Sequence, residues 1–169
     1  MFKYFATDVK RYKEEVGSVF HEPSIVIVFL YRLRKSINQI KIAPIRFLLK
    51  LVIEPSYLFL TLLFGIHLPQ SCEIGPGLII HHFGGIILNS NTKMGNNCTL
   101  RHNVTIGNRY RKDDVPIIGD NVNIGVGAVL IGSIKIGNNV HIGANAVVLK
   151  DVPDNCIAVG NPAKNILKK

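Results

Sequence analysis

A chain of 169 residues with 47% hydrophobic and 18% charged side chains is long enough to bury a core and too apolar to be disordered. Its net charge of +9 is spread along the chain, with ten Lys/Arg against five Asp/Glu in residues 1–67 and ten against six in residues 68–169. That even spread, with no aromatic-rich basic stripe, argues against a nucleic-acid surface and points to acidic ligands or a membrane surface.

Residues 1–67 read as a helical region. "TDVKRYKEEV" (7–16) opens on a capping threonine, and "EPSIVIVFLYRLRKS" (22–36) has Pro23 near its start and a basic last turn. "APIRFLLKLVIE" (43–54) starts with Pro44, and "PSYLFLTLLFG" (55–65) runs from Pro55 to a glycine stop, which predicts two separate helices. The longest uncharged stretch of this region, Pro55 to Ile66, has 12 residues and is too short to cross a bilayer. A buried helix is expected there, with peripheral attachment to the inner-membrane surface as the alternative. The first twenty residues contain Glu14 and Glu15 and no apolar core, so no secretory peptide is expected. Three well-separated cysteines (Cys72, Cys98, Cys156) form neither a disulfide framework nor a zinc knuckle, which suits a reducing, cytoplasmic setting.

From Leu68 onward the period becomes six, and residues 68–169 read as a second region that ends in a C-terminal tail. Aliphatic residues stand at Leu68, Ile74, Ile80, Ile86, Met94, Leu100, Ile106, Ile118, Ile124, Leu130, Ile136, Ile142 and Val148. The step from 86 to 94 is stretched by two residues and the step from 106 to 118 by six. A six-residue period fits neither an α-helix nor a simple alternating strand. It predicts a mainly β fold, a parallel β-helix with three hexads per triangular coil. The first and fifth residues of each hexad point inward, which makes Cys72 and Cys98 small core residues.

His81 and His82 are the second and third residues of the hexad that starts at Ile80, and His102 is the third residue of the hexad that starts at Leu100. Three hexads per coil put His82 and His102 in one external column, about 4.8 Å apart. The excursion "GNRYRKDDVP" (107–116) follows, with five charged residues able to wall a cleft. Asn108 and Arg109, near its start, are candidates to contact an acceptor, together with His81. Metal binding is the sharper competitor, since histidine clusters hold zinc, but no cysteine or carboxylate joins these histidines in sequence, and no metal is expected.

"EIGPGLIIHHFGGIILNSN", "IGDNVNIGVGAVLIGSIKIGNNVHIGANAVVLKDVP" and "AVGNPAK" resemble the hexapeptide-repeat acyltransferases, specifically the serine O-acetyltransferase group, over about residues 66–166. "TLRHNVTIGNR" (99–109) resembles bacterial enzymes that O-acetylate exopolysaccharide, colanic-acid or capsule building blocks. The resemblance implies a left-handed β-helix, a homotrimer or dimer of trimers, and acetyl-CoA bound between subunits. It places the catalytic histidine on His82. The family's partner carboxylate falls on His67, its acid before the catalytic histidine on His81, and its Arg-His pair on Asp114 and Val115. These departures argue against free serine as acceptor and leave a backbone carbonyl, His67 or His102 to orient His82. Gly107 is a candidate oxyanion donor; Gly125, Val126, Gly143 and Ala144 match the pantetheine-binding segment; Lys150 and Lys164 are candidates for the CoA phosphates.

The expected activity is acetyl transfer from acetyl-CoA to a sugar hydroxyl, with His82 as general base in a ternary complex. The alternatives are a serine O-acetyltransferase and, from another class, a metal-dependent hydratase of the carbonic anhydrase type.

Overall fold

The computed structural model describes residues 2–17 and 22–168. Three helices come first: α1 (Phe2–Val16), α2 (Ser24–Asn38) and α3 (Ala43–Phe64). Fifteen short strands follow, numbered in chain order. They form the three faces of a left-handed parallel β-helix of about five turns. Face I holds β1 (Ile66–His67), β4 (Ile86–Leu88), β7 (Thr105–Gly107), β10 (Val129–Ile131) and β13 (Val147–Val148). Face II holds β2 (Glu73–Ile74), β5 (Lys93–Met94), β8 (Ile117–Ile118) and β11 (Lys135–Ile136). Face III holds β3 (Ile79–His81), β6 (Thr99–Arg101), β9 (Asn123–Ile124), β12 (His141–Ile142) and β14 (Cys156–Val159), closed by the antiparallel β15 (Lys164–Leu167).

The hexad residues line the interior: Ile80, Leu100, Ile124 and Leu130 are fully buried. Each such side chain contributes about 2 kcal/mol of burial. Where the corner between faces II and III turns, the coils stack too tightly for a side chain. A Cβ on Gly95 would come within 2.7 Å of the Gly119 backbone.

Two expectations are corrected. The register pairs Ile80 with Leu100 but Leu88 with Ile106, so the two extra residues lie between Ile80 and Leu88, not between Ile86 and Met94. Leu88 is in phase with the hexads, Ile86 fills the inward position expected of Gly84, and the insertion falls on the corner His82–Gly85. Further, residues 43–64 form one helix that runs through Pro55. Pro55 sits on the exposed side of α3, where a missing amide and a slight outward bend are tolerated. At 22 residues this helix is long and apolar enough to cross a membrane by length and composition, and 6% of its most apolar window is buried.

The helices cap the open first coil, whose edge strands would otherwise leave backbone groups unpaired. On face I, the Tyr57 hydroxyl donates to Leu68 O (2.7 Å) and accepts from Leu68 N (2.9 Å). On face II, Tyr31 donates to Cys72 O and Arg32 to Ile74 O, each at 2.6 Å. On face III, Tyr12 accepts from Ile80 N at 2.9 Å while Ser24 donates to Ile80 O at 2.6 Å. Buried Asp8 pairs with Arg32 at 2.9 Å and accepts from Gly77 N and Leu78 N. Burial pushes the Tyr12 hydroxyl up to about 12, so it stays protonated.

Candidate active site

β3 is clamped by Tyr12 and Ser24 up to Ile80, and the chain then leaves the sheet at the widened corner His82–Gly85. His82 adopts φ 63°, a left-handed conformation that costs a residue with a Cβ about 1 kcal/mol. The carboxylate of Glu22, just before α2, holds this turn by accepting the His82 backbone N–H at 2.8 Å. Its other oxygen lies 3.7 Å from His82 Nδ1 and 3.8 Å from His81 Nδ1. Glu22 is 6% exposed, whereas the His82 side chain is 66% exposed. A buried anion thus stands behind an imidazole whose far nitrogen is free to meet a ligand.

His102 sits one coil below, its ring 5.9 Å from that of His82 and edge-on at 61°. Its Nδ1 is buried without a hydrogen-bond partner. His81 turns toward the helices, with Nε2 4.0 Å from Glu15. Burial, reinforced by Arg101, lowers its pKa against the pull of Glu22 and Glu15 and favours neutral imidazole. The arrangement therefore offers one exposed base, backed by one buried carboxylate and flanked by two further imidazoles.

Glu22 was not visible in the sequence reading, which saw no carboxylate for these histidines. It lies 60 positions from His82 and reaches it only because α1 and α2 cap the first coil. The one local sign is an acid directly before Pro23 at a helix start. His67, one of the groups considered for orienting His82, lies elsewhere. It is exposed on face I, in a hollow lined by Arg34, Glu54, Tyr57 and Thr61, and among the described residues no contact joins it to His82.

The registers sort the remaining candidates onto two edges of the prism. The edge between faces III and I carries His82, His102, Val126 and Ala144 at successive coils, by the pairings of Ile80, Leu100, Ile124 and Ile142. It continues to Gly160, and Lys164 pairs with the neighbouring Val159. Four coil spacings make this track about 19 Å long. Gly125 and Gly143 lie beside it, but for a different reason than open backbone. Their amides bond to Ile142 O (2.9 Å) and Ala158 O (2.8 Å), and a Cβ on Gly125 would strike the Ala144 amide at 2.7 Å. They are glycines because the coils stack there.

Gly107, Asn108 and Lys150 occupy the edge between faces I and II. The width of face I separates them from His82 within one chain. Asn108 accepts from Asn89 (3.0 Å), and the Arg109 guanidinium lies over Tyr110 (5.1 Å). A Cβ on Gly107 would meet nothing within 4 Å, so no contact inside the protomer demands a glycine there.

Other chemistries have less to build on. Burial pushes the Cys72 and Cys98 thiols up to about 11, which keeps them as thiols. Among the described residues no three His, Cys, Asp or Glu side chains converge as metal ligands would.

Comparison with known proteins agrees with this geometry. Residues 116–150 match the bacterial transferase hexapeptide (six repeats) model. The putative colanic acid biosynthesis acetyltransferase WcaB of Escherichia coli K12 is 35% identical over 136 residues, 80% of each chain. Serine acetyltransferase 3 of Arabidopsis thaliana is 42% identical over 103 residues, 60% of this chain but 26% of that protein. The serine acetyltransferase of Neisseria gonorrhoeae superposes with a TM-score of 0.78 at 27% identity, covering 99% of this chain and 66% of that one. The chain thus spans about a quarter of the plant relative and two thirds of the gonococcal one.

Proposed function

Because this chain belongs to the hexapeptide-repeat transferase family, we propose that it is an acetyl-CoA-dependent O-acetyltransferase acting on a hydroxyl of a saccharide. The observation that carries the reading is the exposed His82 imidazole with the buried Glu22 carboxylate behind it.

In the proposed reaction the far nitrogen of His82 removes the acceptor hydroxyl proton as the oxygen attacks the thioester carbonyl carbon. The tetrahedral intermediate collapses by breaking the carbon–sulfur bond, and the proton on His82 passes to the departing thiolate. Products are the acetyl ester and CoA thiol, and no group on the protein is acylated. Glu22 stabilises the positive charge that the ring carries in between. His102, whose ring stands 5.9 Å from that of the base, is placed to contact the acceptor.

The donor's pantetheine arm is proposed to follow the track past Val126 and Ala144, with Lys164 near its end for the phosphates. Gly107, Asn108, Arg109 and Lys150 lie on the other edge and reach this track in our reading from a neighbouring copy, in a homotrimer with three composite sites. The open space at the Gly107 Cβ supports an external group at that position.

A saccharide acceptor is supported by the similarity to WcaB over 80% of both chains. Serine is the second reading, favoured by the similarity to serine acetyltransferases in sequence and fold. The test is acetyl-CoA consumption by the purified chain over monosaccharides, nucleotide sugars, oligosaccharide fragments and serine, with His82→Ala alongside. Turnover of a saccharide that the variant loses supports the proposal. Turnover of serine alone replaces the acceptor, and turnover unchanged in the variant removes His82 from the chemistry.

A further inference from the structure

The face of α3 turned away from the protein is apolar along its whole length. Phe47, Leu48, Leu51, Leu58, Phe59 and Leu62 are each 59–76% exposed. At 1.5 Å per residue the helix makes a stripe about 33 Å long, more than solitary exposed side chains and in the class of interaction surfaces. Over residues 53–64 the opposite face is committed: Tyr57 is bonded to Leu68, Arg34 pairs with Glu54 at 2.8 Å, and Ile53, Leu60 and Phe64 pack on the core. A helix fastened along one side cannot be surrounded by lipid without tearing away the cap of the first coil. It can lie in the plane of a membrane.

Charge selects the occupant. Arg32 is buried against Asp8 and Arg34 is paired with Glu54, but Lys35, Lys41, Arg46 and Lys50 stand in no ion pair among the described residues. Docking this surface on a second copy would bring two basic rims together, whereas an anionic bilayer supplies the opposite charge. Arg46 and Lys50 stand on the side of α3 opposite the stripe, in line with Tyr57, so the helix has one apolar face and one basic face, as helices that lie at a bilayer surface do. We propose that α3 seats the protein on an anionic phospholipid bilayer as an in-plane helix, its outward face at the acyl boundary. The seat adjoins the candidate site: Phe64, the last residue of α3, packs against Phe83 in the His82 corner at 5.6 Å. The proposal stands on α3 and does not depend on the identity of the acceptor.

The test is co-sedimentation of the full chain with vesicles of mixed phosphatidylcholine and phosphatidylglycerol, and of phosphatidylcholine alone. Binding to the mixed vesicles is expected to exceed binding to the neutral ones by at least about tenfold. A Leu51→Glu/Leu58→Glu variant, altered only on the exposed face, should lose at least about tenfold on the mixed vesicles. A Lys41→Gln/Lys50→Gln variant, with the stripe intact, should lose about thirtyfold at low salt. Full-length protein left in the supernatant, or glutamate substitutions without effect, would overturn the proposal. So would a particle in vesicle-free buffer that is twice the size of the glutamate variant's, because a second copy would then cover the face.

Discussion

Replacing Glu22 by Gln keeps a carbonyl oxygen in reach of the His82 N–H but removes the charge behind the ring; Glu22→Ala removes both. At 3.7 Å and an effective dielectric near 20, the attraction between the carboxylate and an imidazolium is about 4 kcal/mol. His82 is 66% exposed, and screening by water reduces this to about 2 kcal/mol. In the proposed reaction the ring carries that charge while it holds the acceptor's proton, so the loss falls on the rate of transfer. We expect kcat to drop about thirtyfold in Glu22→Gln, with KM for acetyl-CoA within about twofold. Glu22→Ala should fall further, because the left-handed turn at His82 also loses the acceptor that holds it. Steady-state kinetics on the best acceptor, with circular dichroism to verify folding, decide the matter. A Glu22→Gln enzyme with undiminished kcat would refute the reasoning, as would one whose loss lies wholly in KM.

Tyr57→Phe strips both the donor and the acceptor from buried Leu68 and should destabilise the protein by about 2–4 kcal/mol in urea unfolding. Burial lowers the His81 pKa below its unfolded 6.5, so the unfolded chain takes up the proton first; stability should fall as pH drops below 6.5, and His81→Gln should flatten that slope in urea midpoints. Mixing His82→Ala chains with Arg109→Glu/Lys150→Glu chains by co-refolding should restore about a quarter of the sites if each is shared by two copies of a trimer, and none if each lies within one chain. Deleting Phe83 and Gly84 would leave His82-Gly85-Ile86 to match His102-Asn103-Val104, so the protein should fold, keep its unfolding free energy within about 2 kcal/mol in urea titrations and lose turnover.

The β-helix was legible because its rule is local. A six-residue recurrence of Leu and Ile is a statement about every coil at once, and a two-residue error in one step does not disturb the rest. That error occurred at Ile86, which is aliphatic, buried and two residues out of phase with Leu88. Nothing in hydrophobicity separates the two; only the backbone register does. The column of His82 and His102 survived because both placements of the insertion lie after Ile80 and before Leu100. The helical region was less legible. Pro55 reads as a boundary because proline breaks most helices, yet here it sits on the exposed side of α3, at the rim of the hollow around His67. Glu22 could not be paired with His82 by spacing at all, since their meeting depends on how the helices cap the coil.

Cap and site are consequently one construction. An open β-helix end needs its backbone groups covered, and Tyr12 and Ser24 do this for Ile80, two residues before the candidate base. The same docking brings Glu22 under the next turn, where a buried carboxylate needs donors and a left-handed histidine offers its amide. The inserted Phe83-Gly84 carries the chain around this anchored point, with Gly84 and Gly85 both at positive φ, so the imidazole stands outside the prism instead of in its wall. A base exposed enough to meet a hydroxyl and an anion buried enough to act on it are opposing demands on a single turn. Here they are met by drawing the base from the β-helix and the anion from the helices that close it.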